Sequence, residues 1–266
     1  MSELVRITIE NHVADVELNR PDKYNALSPD MFEAIIEAGR TVASDKSVRA
    51  VVLSGRGKGF CAGLDFQGFV EMGKTGGLDL FETGPGQIAN NAQLPGMIWK
   101  QVPVPVIAAL HGVAFGGGLQ IALGADIRLA APGTRLSVME IKWGIIPDMS
   151  ATQTLRDLVR IDVAKELTFS GRIVEAQEAA ELGLVTRVCD DPLKAAREMA
   201  AEFAARNPDG VAAAKHLIET AWHAPAEDGL KLEESLQKTL IGTANQMEAA
   251  AANFEKRAPV FADRKS

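Results

Sequence analysis

The chain has only two cysteines in 266 residues, Cys61 and Cys189, which is too few for a disulfide framework and makes a reducing compartment the expectation. It lacks a basic excess: 28 Lys+Arg stand against 35 Asp+Glu, a formal net charge of −7, with no basic run. Nucleic-acid binding is therefore not expected. Long hydrophobic runs are missing too. The longest, Val102 to Leu110, holds two prolines and is too short to span a bilayer, and the first residues lack the basic-then-apolar order of a signal peptide. The four histidines are scattered, with no His-Glu-x-x-His, Cys-x-x-Cys or paired His/carboxylate spacing, so no metal site is expected. What is present is a 47% hydrophobic share, enough for a substantial core, together with 24 glycines in no repeating register. These features predict a soluble, cytoplasmic, globular chain.

Alternating apolar and polar residues from Val5 to Leu18, broken at Asn11-His12, predict a β-hairpin. Ser28 as N-cap and Pro29 at the first helical position open a helix that buries Phe32, Ile35 and Ile36 and ends near Ser44. Short buried strands follow at 49–53, 104–110, 128–131 and 135–139, with helical character over 119–124. Residues 67–100 are broken by glycines and read as a long loop with some helix. From Ala151 onward helical segments succeed one another, interrupted by a strand over 183–188. The pattern predicts an α/β fold, with a core over residues 1–190 built of βαβ units and a helical C-terminal region over 191–266.

Two motifs match nucleotide-binding patterns in letters only. Gly68 to Thr75 fits G-x-x-x-x-G-K-[ST], but no buried strand precedes it, Glu71 would repel phosphate, and Gly76-Gly77 follows where a helix is needed. Gly84-x-Gly86-x-x-Ala89 has Pro85 in its turn and no strand before it. There is no G-x-S-x-G nucleophile elbow. His111, at the end of a buried strand, and Cys61, with no base beside it in sequence, read as packing residues.

Two glycine-rich turns each follow a buried strand, Phe60-Cys-Ala-Gly-Leu-Asp65 and Phe115-Gly-Gly-Gly-Leu119. Glycine permits sharp turning and close approach to a second molecule, and the second turn opens a helix, leaving backbone N–H groups free to meet developing negative charge. Glu140 sits among Val138, Met139, Ile141 and Trp143, where burial should raise its pKa; Asp148 follows eight residues later. Two acids on one connection could move a proton between carbons of a bound molecule, although Asp148 could equally cap the helix expected near Thr152.

Several segments, in order, resemble the crotonase superfamily of enoyl-CoA hydratases and isomerases: Asn19 to Leu27, Gly59 to Asp65, Pro105 to Gly118, Gly171-Arg-Ile through Gly183-Leu-Val, and Phe254-Glu-Lys-Arg257. The resemblance implies a crotonase-like (ββα) spiral core, with the C-terminal helices joining subunits into a homotrimer or a hexamer. It implies an acyl-CoA substrate and no cofactor beyond the coenzyme A carried by it. The Leu64 and Gly117 N–H groups would form an oxyanion hole for the thioester oxygen. Ala62, Leu64 and Phe66 backbone groups would line the adenine pocket, with Asp65 beside them, and Lys23 and Lys256 would approach the CoA phosphates. A hydratase of this family has two glutamates. Glu140 matches the second, whereas Gln120 stands at the first and cannot exchange a proton. Asp148 is similar to the dienoyl-CoA isomerase pattern. Double-bond isomerisation is the leading expectation, with Asp148 taking a proton and Glu140 returning it. Hydration with Gln120 and Asp148 holding water is the same-class alternative, and a catalytically weak acyl-CoA-binding protein the alternative of another class.

Overall fold

The computed structural model describes residues 3–68 and 79–265. The hairpin is β1 (Val5–Glu10) and β2 (Val13–Leu18), joined by Asn11 and His12, both at positive φ, the geometry a two-residue turn needs to match strand twist. Ser28 accepts a hydrogen bond from the Met31 N–H at 3.4 Å and opens α1 (Pro29–Ser44). Then come β3 (Ala50–Gly55), α2 (Leu94–Gln101), β4 (Val106–Leu110), β5 (Val113–Phe115), α3 (Gly117–Leu123), β6 (Ile127–Ala130) and β7 (Arg135–Ser137). After a 3-10 turn at Glu140–Trp143 follow α4 (Ala151–Leu158), α5 (Ile161–Ser170), β8 (Val174–Glu175), α6 (Ala176–Leu182) and β9 (Arg187–Val188). The chain ends in α7 (Pro192–Ala204), α8 (Pro208–Ala221), α9 (Ala226–Leu240) and α10 (Ala244–Glu255).

The strands form two sheets. The larger has the order β1-β2-β3-β4-β6-β9, parallel except for the β1–β2 hairpin; the smaller is β5-β7-β8. The chain passes from the larger sheet to the smaller in consecutive strands twice, β4 to β5 and β6 to β7, with α3 between the two passages. This repeated strand–strand–helix step winds the chain into a spiral.

Central strands are apolar on both faces because both are covered. In β3, Val51 and Leu53 join the main core with Phe32, Ile35, Trp99 and Leu119, while Ala50 and Val52 point the other way. That second face packs against Ala196, Ala200 and Ala204, one stripe of α7 at i, i+4 and i+8, whose small side chains let the helix lie close to the sheet. The first helix beyond residue 190 is thus part of the sheet's own packing.

The helix expected within 67–100 falls at 94–101: Pro95 sits in its first turn, and Gly96 is there because a Cβ would come within 2.6 Å of the Met149 carbonyl and 2.4 Å of Ser150 Oγ. Two expectations differ from the structure. Within 183–188 only Arg187 and Val188 pair as strand; Leu184 and Val185 are held by burial. Ser150, not Asp148, is the N-cap of α4. Residues 69–75 of the Gly68–Thr75 motif lie outside the described residues, and Gly84–Gln87 is a turn with no strand over 79–83. Among the described residues no helix is long and apolar enough to cross a membrane, and no three metal-ligating side chains cluster.

Candidate active site

The two glycine turns meet edge to edge. Cys61 bridges Ala114, with its N–H donating to the Val113 carbonyl and its carbonyl accepting from Phe115 N–H, both at 3.0 Å. Gly63 then turns at φ +89°, and a Cβ there would lie 2.7 Å from the Phe115 carbonyl oxygen and 3.7 Å from the Gly117 nitrogen. Only glycine fits so close to the opposing backbone in this conformation. Leu64 is bridged to Leu27 through its neighbours: Leu27 N–H donates to Gly63 O at 2.8 Å and Asp65 N–H donates to Leu27 O at 3.0 Å. That alternation turns Leu64's own N–H away from Leu27. Gly117 is the first residue of α3, whose N–H no helical carbonyl can reach. Among the described residues neither of these N–H groups has an acceptor.

Glu140 lies beside this edge. It is buried, and its Oε1 is 3.3 Å from where a Cβ on Gly116 would stand, so the open space at Gly116 is what admits the carboxylate. Burial holds its carboxyl above the usual carboxylate range, the Asp148 charge adds to this, and hydrogen bonds from its own backbone N–H and from Gln120 oppose it. Oε1 accepts from Gln120 Nε2 at 2.6 Å, while the buried Oε2 has no partner among the described residues. An unsatisfied buried oxygen is costly and is therefore a place where a proton from another molecule would be taken.

Gln120 is held from the other end. Its Oε1 accepts from Met149 N–H at 2.8 Å and Ala151 N–H at 3.2 Å. Both donors converge because Ser150 between them is left-handed, at φ 75° and ψ 12°, a strained conformation for a serine. With two N–H donors on its oxygen, the amide must face Glu140 with its nitrogen. Gln120 therefore has no lone pair left for a water proton.

The remaining expected residues fall into three groups. Asp148 is exposed on the connection past Pro147, with its charge acting on Glu140. Ala62, Leu64, Asp65 and Phe66 lie together on the first turn: Ala62 N–H donates to Tyr24 O at 2.9 Å, and Asp65 receives Arg20 Nη1 at 2.7 Å. That bond first of all holds the Asp65 carboxyl below the usual range. Lys23 is exposed in a short 3-10 turn that leads to Tyr24, next to this group. Lys256, exposed at the C-terminal end of α10, shares no hydrogen bond or ion pair with the others among the described residues. Cys61 is a packing residue: its thiol donates to Asn25 O at 3.1 Å, and burial pushes its pKa up to about 12. His111 binds the Gly57 carbonyl at 2.9 Å.

Sequence reasoning missed Arg20, Met149 and Ser150. Arg20 stands inside the Asn19-Arg-Pro motif and could have been suspected of anchoring an acid. A left-handed serine carries no sequence signal.

A two-sheet spiral with two opposed strand-end turns beside one buried acid is the architecture of crotonase-like enzymes. The solved structure of enoyl-CoA hydratase from Bacillus anthracis matches it with a TM-score of 0.85 at 31% identity, covering 97% of this chain and 98% of that one. The sequence model of the family described as enoyl-CoA hydratase/isomerase matches residues 8–264, and the chain belongs to that family, whose enzymes act on acyl-CoA thioesters. It is 33% identical over 251 residues to the mitochondrial methylglutaconyl-CoA hydratase of Mus musculus, covering 92% of this chain and 77% of that protein. It is 33% identical over 261 residues to the (E)-benzylidenesuccinyl-CoA hydratase of Thauera aromatica, covering 97% and 98%.

Proposed function

We propose that the chain shifts a carbon–carbon double bond in an acyl-CoA thioester, with Glu140 as the acid–base group. The thioester oxygen accepts from the Leu64 and Gly117 N–H groups, which makes the neighbouring C–H more acidic and stabilises the enolate. Glu140 Oε2 removes a proton from the carbon next to the thioester carbonyl. The negative charge spreads to the thioester oxygen, and the same carboxyl returns the proton at another carbon. A raised pKa suits this role, since the group must be both a competent base and a competent acid. Asp148 acts on Glu140 through its charge rather than as a second relay, which revises the expectation drawn from the resemblance.

The observation that carries this reading is the saturated Gln120. The position that could have supplied a second acid is an amide whose oxygen already accepts two backbone N–H groups. A hydration partner that must give and take water's proton is absent there. The hydratase names of the relatives favour a second reading, addition of water to a 2-enoyl thioester with Glu140 alone activating it.

For the CoA moiety, the Ala62 carbonyl and the Leu64 and Phe66 backbone would face the adenine, and Lys23 the phosphates. Asp65 would contribute by holding the loop through Arg20. Large apolar side chains left exposed on the C-terminal helices, among them Ile218, Trp222, Leu230 and Phe254, support assembly into a trimer or a dimer of trimers, which would bring a partner's Lys256 toward the CoA.

Purified protein and its Glu140→Gln and Asp148→Asn variants, assayed on 2-enoyl-, 3-enoyl- and 3,5-dienoyl-CoA, test the proposal. Isomerisation should fall by roughly 10²-fold or more in Glu140→Gln and by about tenfold in Asp148→Asn. Dominant hydration would favour the second reading, and binding without turnover on any substrate would make the chain a binder.

A further inference from the structure

The geometry points to the ring pair of Phe66 and Trp143 as the specificity-determining surface for the acyl tail, one that selects aromatic or other planar acyl groups; this rests on the thioester reading above. The two rings come from segments far apart in the sequence, with centroids 4.2 Å apart and planes inclined at 37°. Phe66 stands two residues after Leu64, and Trp143 three residues after Glu140. A thioester with its oxygen at the Leu64 N–H and its reacting carbons at Glu140 must extend its tail past the turn that carries Glu140. That turn buries the acid and presents the indole, which is 59% exposed.

The turn is rigid enough to hold a ring in place. Lys142 N–H donates to Met139 O and Gly144 N–H to Ile141 O, both at 3.0 Å, and Ile145 N–H closes back on Glu140 O at 3.3 Å. Gly144, left-handed at φ 72°, sharpens it. Ile141 and Ile145 are also part-exposed beside Trp143, so the tail meets an apolar surface with one large aromatic face. The Phe66 ring fixes the tilt of the indole, leaving its other face for an incoming planar group. Stacking of this kind favours an aromatic over a flexible tail by roughly three- to tenfold in affinity.

The test is equilibrium binding, by titration calorimetry, of the unreactive thioesters 3-phenylpropanoyl-CoA and hexanoyl-CoA, and of free CoA. The proteins are the wild type, Trp143→Leu and Phe66→Leu, with circular dichroism confirming that each variant is folded. The wild type should bind the phenyl ester roughly three- to tenfold more tightly than the hexanoyl ester. Trp143→Leu should erase that preference while free CoA binds unchanged, and Phe66→Leu should reduce it. Equal affinity for the two esters in the wild type overturns the proposal, as does a variant that keeps the preference. Equal weakening of both esters and of free CoA would mean that the rings hold the adenine, which also overturns it. No phenyl preference in the wild type with enoyl-CoA turnover intact refutes the ring pair alone; no CoA-ester binding and no turnover refutes the thioester reading with it.

Discussion

Replacing Gln120 by leucine removes two things the structure ties together. Glu140 Oε1 loses its 2.6 Å donor, and the Met149 and Ala151 N–H groups lose their acceptor. A hydrogen bond to a charged group is worth roughly 1.5–3 kcal/mol, which at about 1.4 kcal/mol per pK unit corresponds to a shift of about one to two units. The lost bond favoured the carboxylate, so the Glu140 pKa, already raised by burial, must rise further. The acid limb of the pH–kcat/KM profile, where the base is protonated, should therefore move to higher pH by about one to two units. The two orphaned N–H groups should cost roughly 1–3 kcal/mol each in unfolding free energy, read from denaturant melts. In Gln120→Glu the new carboxyl keeps those two donors but faces Glu140 across the same short distance, so the pair must share a proton and the profile should acquire a second limb. A stability loss with an unmoved acid limb in Gln120→Leu would refute the claim that Gln120 tunes Glu140.

Three further perturbations follow from the same geometry. Glu140→Gln should be more stable than the wild type at neutral pH. With its folded pKa raised above 4.5, Glu140 penalises the native state as pH climbs through that interval, so the advantage should be absent below about pH 4 and full above the folded pKa, as read from melts across pH. Gly63→Ala, forced into φ +89° against the Phe115 carbonyl, should cost roughly 1–3 kcal/mol of stability and lower kcat more than it raises KM, because the Leu64 N–H is displaced. Arg264, almost fully buried, donates to the Ala43, Asp45 and Val48 carbonyls at the end of α1. Its alanine variant should lose roughly 2–4 kcal/mol of stability, and limited proteolysis should then release the C-terminal tail first.

The parts of the fold legible in the sequence are those set by local chemistry. Asn11-His12 tolerates the left-handed turn, Ser28-Pro29 starts a helix wherever it stands before apolar periodicity, and glycines after buried strands mark the two turns of the site. Glu140 was legible because an acid among apolar residues is rarely there for solubility. What stayed hidden depends on contacts between distant segments. Gly96 looks like a loop residue until the Met149 carbonyl is seen against it, which is why the place of the helix within 67–100 is not legible. The orientation of the Gln120 amide is decided by N–H groups about thirty residues away, brought together by the left-handed Ser150. Asp148 in sequence reads as a relay partner; in the structure it is exposed while Glu140 is buried, and its charge raises the Glu140 pKa. The Arg20–Asp65 bond and the Phe66–Trp143 contact likewise exist only once the spiral has closed.

The central claim, one buried carboxyl passing a proton along an enolate held by two backbone N–H groups, is tested most directly by mass spectrometry of the product formed from 3-enoyl-CoA in heavy water. Shuttling by Glu140 predicts a 2-enoyl product that adds no water and keeps part of the protium removed from the substrate, with formation of this product abolished in Glu140→Gln. A product that has gained deuterium oxide across the double bond, or isomerisation undiminished in Glu140→Gln, would contradict it.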